Sequence, residues 1–463
     1  MTAARTSRRR SAVPLVTAST LGLLLLAAAG FAAPAAAAAA ADKANAAYSY
    51  CQANFPDPAS YPLPSGSHAG AKLKQVQLIT RHGDRTPVNI MPDDAATYNL
   101  CSEFAVSGMT SNDGSATLTQ ANVLKFPLLD KANPYQDAIW QGNCIDGQLT
   151  SKGITQLRTL GSQLRGIYVD KLKFLEGDYM PATPTLYARS TDYWRTQQSA
   201  ESLLSGLFPT LKGELYPVPL HTVPSSAETM ASNPGACPNL ATVQALMSAS
   251  AGWQNHLSSN QALLDRLNTA FDTDWQGGFD HFFDNLQVRT CNNLPLPCSR
   301  QNPGTPCVSA QDAQSTFALG DWEYAYTFLN YNQTVMAKLG IGAFSATLRD
   351  TLQSAVSGNK SQYNFYYYSG HDSTIGAVLG AFNISGWRWP PYASNIQIEL
   401  WQDVNGEFFV RVFYNGDLQQ LPACPSTECP ASTWIAYMNT VIPSNFAADC
   451  MFDTRSRRFG HGH

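Results

Sequence analysis

The sequence predicts an α/β fold, one central sheet flanked by helices with a mainly helical segment inserted as a cap. Three observations carry this. Short apolar runs of strand type alternate with amphipathic helical stretches at both ends of the chain. Residues 225–350 read as helices interrupted by a loop. The chain has 463 residues, of which 44% are hydrophobic and 11% aromatic, enough for an extensive core.

The elements follow in order. Residues 1–41 read as an export signal: Arg5 to Arg10 is basic, Leu21 to Ala29 is apolar, and Phe31 to Ala41 is rich in alanine. An uncleaved signal anchor is the alternative, because Val16 to Ala33 nearly spans a bilayer. Residues 42–224 and 351–451 hold the strand–helix pattern. Lys74 to Thr80 is a strand, with Val76, Leu78 and Thr80 on one face. Ser151 to Val169 places Ile154, Leu157, Leu160, Leu164 and Ile167 at helical spacing. Pro184 to Ala188 is a strand and Thr191 to Phe208 a helix. Tyr363 to Tyr368 and Ser373 to Ala381 repeat that order. Ile396 to Phe413 is a hairpin turning at Asn405-Gly406. In the cap, helices are expected at Asn239 to Ser250, Gln261 to Phe271 and Asp321 to Leu339, with a loop from Cys291 to Cys307. Residues 452–463 form a basic tail, read as a frayed terminus.

Charge narrows the function. Net charge is -4; the first 41 residues carry four arginines and no acidic group, so the remainder has 26 basic and 34 acidic residues, a net of -8. Such a chain has no global attraction for nucleic acid or, once the signal is cleaved, for anionic membrane. An anionic substrate needs a local cluster of arginines.

Chemistry concentrates at three predicted strand ends, where ligand sites of open α/β sheets lie. The first is Arg81-His82-Gly83-Asp84-Arg85-Thr86-Pro87. Guanidinium groups match phosphate oxygens, and a histidine among them can attack phosphorus. Gly83 permits close backbone approach. The second is Arg189, in Ala188-Arg189-Ser190-Thr191; the third is His371-Asp372. The last adds a donor and a carboxyl group able to protonate a leaving alkoxide.

These motifs resemble the histidine acid phosphatases, a branch of the phosphoglycerate-mutase-like superfamily. RHGDRTP at 81–87, YARSTDYWRTQQSAESLLSGLFP at 187–209 and SGHDST at 369–374 carry the resemblance. PPYAS at 390–394 and LPACPSTECP at 421–430 are similar to the prostatic and lysosomal enzymes. The resemblance implies a phosphoglycerate-mutase-like sheet and hydrolysis of small-molecule phosphate monoesters. It implies His82 as nucleophile through a phosphohistidine, Asp372 as general acid, and Arg81, Arg85, Arg189 and His371 as the phosphate cradle. It implies no metal and no cofactor, and an acidic optimum. Prostatic-type relatives form dimers, so a homodimer is compatible with it.

The remaining histidines and arginines read blandly. Arg195, one turn into its helix, is read as structural. Asp84 is read as at most a tuning group. His68, His221, His256 and His281 match no motif and are read as ordinary residues.

Ten cysteines and no C-x-x-C fit an exported, disulfide-bonded chain. The resemblance implies Cys424–Cys429 and Cys237–Cys450. Where the prostatic type has cysteine after PPYAS, this chain has Asn395, so the pairing of Cys51, Cys101, Cys144, Cys291, Cys298 and Cys307 stays open. Sequons stand at Asn332, Asn359 and Asn383. The insertion Met91 to Gly147 has only Lys125 and Lys131 as lysines or arginines. That places a phytase below a general acid phosphatase. A phosphoxylose-type glycan phosphatase is the other enzyme alternative, through CIDGQLTSKG at 144–153. A non-catalytic phosphate- or glycan-binding glycoprotein is the alternative of another class. The expected location is extracellular, or else the secretory-pathway lumen, a lysosome or a vacuole.

Overall fold

The computed structural model describes residues 49–101, 141–178, 185–209, 218–359, 361, 363–384 and 387–451. The export signal, residues 102–140 of the insertion, Pro184 and the basic tail lie outside the described residues.

Strand β1 is Lys72–Arg81, and every residue from Gln75 onward is buried. A strand buried on both faces must lie between two layers. Helix α1, Ser151–Arg165, is capped by Thr150, whose hydroxyl accepts the Gly153 N–H. A π-helical turn, Gly166–Lys171, extends it. Strand β2 is Leu186–Ser190 and helix α2 is Trp194–Leu207. Strand β3 is the short Leu220–His221. After the cap come strand β4, Phe365–Gly370, and helix α10, Asp372–Phe382. The hairpin β5, Asn395–Gln402, and β6, Phe408–Tyr414, follows. Gly406 takes a positive φ of 92° at its turn. Strands β7, Asp417–Leu418, and β8, Cys429–Pro430, and helix α11, Ala431–Val441, complete the sheet region.

The sheet order is β8-β6-β5-β1-β4-β2-β3, with β7 on β6. Strands β1, β4, β2 and β3 are parallel, and β5 runs antiparallel to β1. Arg81 pairs with Gly370, and Ser190 with Ser369. Three motif-bearing strand ends thus stop at one level. Period-two alternation sorts β1 between the layers. Val76 and Leu78 pack with Leu157, Leu160 and Leu203 of α1 and α2. Ile79 packs on the other side with Ile375 of α10 and Trp434 of α11.

Residues 225–350 contain six helices and most of a seventh. They are α3 (Pro238–Ser248), α4 (Ala251–Ser259), α5 (Gln261–Phe271), α6 (Asp280–Cys291), α7 (Ala310–Ala325) and α8 (Gln333–Gly340). Helix α9, Gly342–Val356, crosses position 350. Its Phe344, Leu348 and Leu352 pack on the sheet with Tyr368 and Ile398. The expected single helix Asp321 to Leu339 is instead α7, a π turn at Tyr326–Asn330 and α8. Asn332 breaks it, its side chain accepting the Val335 N–H to start a new helix. Helices α4, α6, α9 and α11 were not expected. Polar Asp284, Asn285, Gln287 and Arg289 are buried in α6, so its helical period does not show as an apolar stripe.

Five disulfides are present: Cys51–Cys291, Cys101–Cys144, Cys237–Cys450, Cys298–Cys307 and Cys424–Cys429. The two pairs implied by the family resemblance are among them. Among the described residues, no helix is long and apolar enough to cross a membrane.

Candidate active site

Beyond the ends of β1, β2 and β4 lies a cavity of about 390 Å³. His82, Arg85, Arg195, His371 and Asp372 line it. Helix α6 closes one side with Asp280 and Asp284.

His82 follows β1 directly, its N–H on the Gly370 carbonyl at 3.0 Å. The loop after it is pressed against α1. A Cβ on Gly83 would stand 2.5 Å from the Gly153 carbonyl oxygen, which only glycine permits. The close approach anticipated for Gly83 is therefore to a helix. His82 Nδ1 lies 2.8 Å from the Gly83 carbonyl oxygen. A carbonyl only accepts, so Nδ1 carries the proton and Nε2 the lone pair. Burial, then Arg81, Arg195, Arg85 and His371, push the His82 pKa well below its ordinary value. Both effects favour the neutral ring.

The arginines divide into two kinds. Arg85 donates to Asp284 at 2.6 Å, and Arg81 reaches Asp372 Oδ2 at 2.8 Å. Arg81 is fully buried, stacks its guanidinium 4.5 Å over the Tyr392 ring, and donates to the Pro390 carbonyl. It stands behind Asp372 and is not part of the cavity wall. Arg195 has no ion pair among the described residues. Its Nη2 sits 3.4 Å from His371 Nδ1, and its guanidinium lies over the Tyr193 ring. Burial and then Arg85 lower its pKa to about 10. It is a half-buried cation pressed by another cation, with Asp372 and Asp284 opposing that pressure from a distance.

Three expectations differ from the geometry. The resemblance places Arg81 and Arg189 in the cradle, and Arg195 is read as structural; Arg195 lines the cavity, whereas Arg81 and Arg189 do not. Arg189 donates to Glu228 at 2.7 Å and does not line the cavity. The cause is strand phase: residues alternate faces along β2, and Arg189 shares the half-buried face of Tyr187, opposite buried Ala188 and Ser190. Arg195 sits in the first turn of α2, where side chains tilt back toward the helix N-terminus. The R-S-T…R-T block contains both arginines. Only the phase of β2 separates them.

His371 is held by Thr191, with Nε2 2.9 Å from the hydroxyl. Burial and Arg195, with Arg85 and Arg81, lower its pKa to about 3, against the opposing pull of Asp372. Asp372 begins α10. Burial alone would raise its pKa, but Arg81, Arg85 and His371 hold it well below the usual carboxylate range. Trp389 Nε1 donates to its Oδ2 at 3.1 Å. Trp389 and Asp284 carried no motif signal. Asp84 points away from the cavity, accepting from Thr150 at 2.6 Å and Asn292 at 3.1 Å. It ties the loop to α1 and α6. Among the histidines read as ordinary, His256 is a buried partner of Glu323 at 3.0 Å and His68 pairs with Glu428 at 2.6 Å.

The pocket lies beyond the carboxyl ends of parallel strands, where ligand sites of open α/β sheets are found. The chain belongs to the histidine phosphatase superfamily, branch 2, whose model matches residues 72–415. It is 30% identical over 416 residues to counting factor 60 of Dictyostelium discoideum, covering 88% of this chain and 93% of that protein. It is 28% identical over 400 residues to lysosomal acid phosphatase of Homo sapiens, covering 82% and 80%. Among solved structures it resembles the apo phytase of Hafnia alvei, at a TM-score of 0.53 and 15% identity over 84% of this chain and 99% of that one. The phosphate complex of the Bifidobacterium longum multiple inositol polyphosphate phosphatase gives 0.52 at 13% identity over 86% and 99%. The fold is the phosphoglycerate-mutase-like one. The protein is a phosphatase acting on phosphate monoesters.

Proposed function

We propose that the chain is an exported acid phosphatase working in two steps through a phosphohistidine on His82. The observation that carries this is His82 at the end of β1 beside a half-buried Arg195 that has no ion pair among the described residues. In the first step His82 Nε2 attacks phosphorus and the bond from phosphorus to the ester oxygen breaks. Arg85, Arg195 and His371 bear the charge on the phosphoryl oxygens, and Arg81 adds a buried positive charge beside His82. The leaving oxygen needs a proton, and Asp372 is ionised in the empty pocket. The monoanion of a phosphate ester, whose second ionisation lies near about 6, brings one. Asp372 passes it to the leaving alcohol. In the second step a water oxygen attacks phosphorus as the bond from phosphorus to His82 Nε2 breaks, Asp372 takes the water's proton, and inorganic phosphate departs with His82 restored. An acidic optimum follows, because the substrate must arrive protonated while His82 stays neutral.

Export is supported by the N-terminal pattern and by five disulfides, which persist in oxidising compartments. The test of the mechanism is rapid quench with labelled p-nitrophenyl phosphate in acid. Acid-labile phosphate on His82 is expected, and none on His82→Ala. Full turnover by His82→Ala would overturn the assignment.

A further inference from the structure

Outside the phosphate floor, the cavity wall is not basic. Among the described residues, Arg85 and Arg195 are the only arginines lining it, and no lysine does. Both belong to the floor. The wall carries three carboxylates besides Asp372: Asp284, Glu228 and Asp280. Two are neutralised, Asp284 by Arg85 and Glu228 by Arg189. Asp280 is different. It opens α6 at the cavity edge, its side chain is 59% exposed, and its ion pair among the described residues is a loose 3.7 Å approach from His281. The rest of the rim is uncharged, with Asn89, Ser225, Ser232 and Asn233.

A bound phosphoryl group satisfies Arg195. The carboxylate then left at the cavity edge without a close cation is Asp280. We propose that Asp280 determines specificity, so that the enzyme prefers monoesters whose alcohol carries a cation, such as phosphorylated amino alcohols, and disfavours esters bearing a second anion. This rests on the phosphatase reading above and names its substrate class. A second phosphate or carboxylate on the alcohol finds no described cation in the wall and meets a carboxylate at the mouth. Like charge at an entrance is an effective means of rejection. It also separates this cavity from one suited to polyphosphorylated substrates, which needs extra cations.

The test uses matched pairs differing by one charge: O-phosphoethanolamine against ethyl phosphate, and 6-phosphogluconate against glucose 6-phosphate. kcat/KM is measured at one mildly acidic pH and low ionic strength for the wild type, Asp280→Asn and Asp280→Lys. Ratios within each variant cancel any general loss of activity. The wild type should favour phosphoethanolamine over ethyl phosphate. Asp280→Asn should shrink that ratio by about 2- to 5-fold, the size of one exposed charge interaction. Asp280→Lys should shrink it further and raise the relative rate on 6-phosphogluconate. At ~1 M salt, where screening acts over about 3 Å, the differences should collapse. Ratios unchanged by both substitutions, with the wild type turning over all four esters, would overturn the specificity proposal alone. Failure of the wild type to hydrolyse even ethyl phosphate and glucose 6-phosphate would overturn the phosphatase reading beneath it.

Discussion

At the scale of single residues, two arginines six positions apart have opposite tasks. Arg195 lines the cavity without an ion pair among the described residues, so in the proposed mechanism its removal should cost transition-state binding. Arg195→Ala is expected to lower kcat/KM by about 100-fold or more, comparable to losing a donor from an oxyanion site. Arg189→Ala should act on stability, by about 3 kcal/mol, because it leaves the buried Glu228 carboxylate unpaired. Urea unfolding with parallel kinetics separates the two outcomes. Asp372→Asn should slow alkyl phosphates by about 100-fold and p-nitrophenyl phosphate far less, because a good leaving group needs no proton. Equal losses would remove its role as acid. The motifs made His82, Arg85, His371 and Asp372 legible. Arg195 was not, because its motif holds two arginines and only strand phase assigns them. Trp389 and Asp284 were not legible because their partners are far away in sequence.

At the scale of elements, the site depends on three parallel strands ending together and on α1 pressing against the loop after His82. Gly83→Ala tests that contact. Its Cβ would meet the Gly153 backbone at 2.5–2.6 Å, and backbone cannot yield as a side-chain tip can. A stability loss of about 1–3 kcal/mol is expected, with a larger fall in kcat than in KM as His82 shifts. Thermal melts and initial rates check it. The long strands and helices α1, α2 and α10 were legible because apolar periodicity marks them; the sheet-flanking α9 and α11 and the two-residue strands were not. Helix α6 was hidden by the polar residues it buries, and those residues exist to hold Arg85 and Asp94 partners, Asp284 with the first and Arg289 with the second. Function masks the pattern that would have revealed the helix.

At the scale of the molecule, the pocket imposes a pH dependence on folding. His371 has a folded pKa of about 3 against an ordinary 6.5, and His82 is lowered in the same direction. Between these values the unfolded chain binds protons that the native one does not. Stability is therefore full above about 6.5 and lost as pH falls through that window, by up to about 1.4 kcal/mol per pH unit for each histidine. Asp372, also lowered, adds stability above its ordinary 3.8 that is lost on further acidification. Inorganic phosphate should oppose the loss, since an anion on Arg195 binds only the native state. Melts from neutral to acidic pH, with and without phosphate, check this; a flat profile for wild type would contradict it. The disulfide framework was legible in count and in the two pairs implied by family resemblance. Cys51–Cys291 was not, because it joins segments 240 residues apart.

The Gly83 carbonyl that takes the Nδ1 proton of His82 does more than orient the ring. It leaves one nitrogen free, so the phosphoenzyme proposed above would be a single regioisomer, the tele-phosphohistidine. The pros isomer would require His82 to surrender that hydrogen bond and turn its bonded edge toward the arginines. One backbone oxygen would thus determine the chemical identity of the proposed intermediate, and with it the side of the ring from which water would later approach.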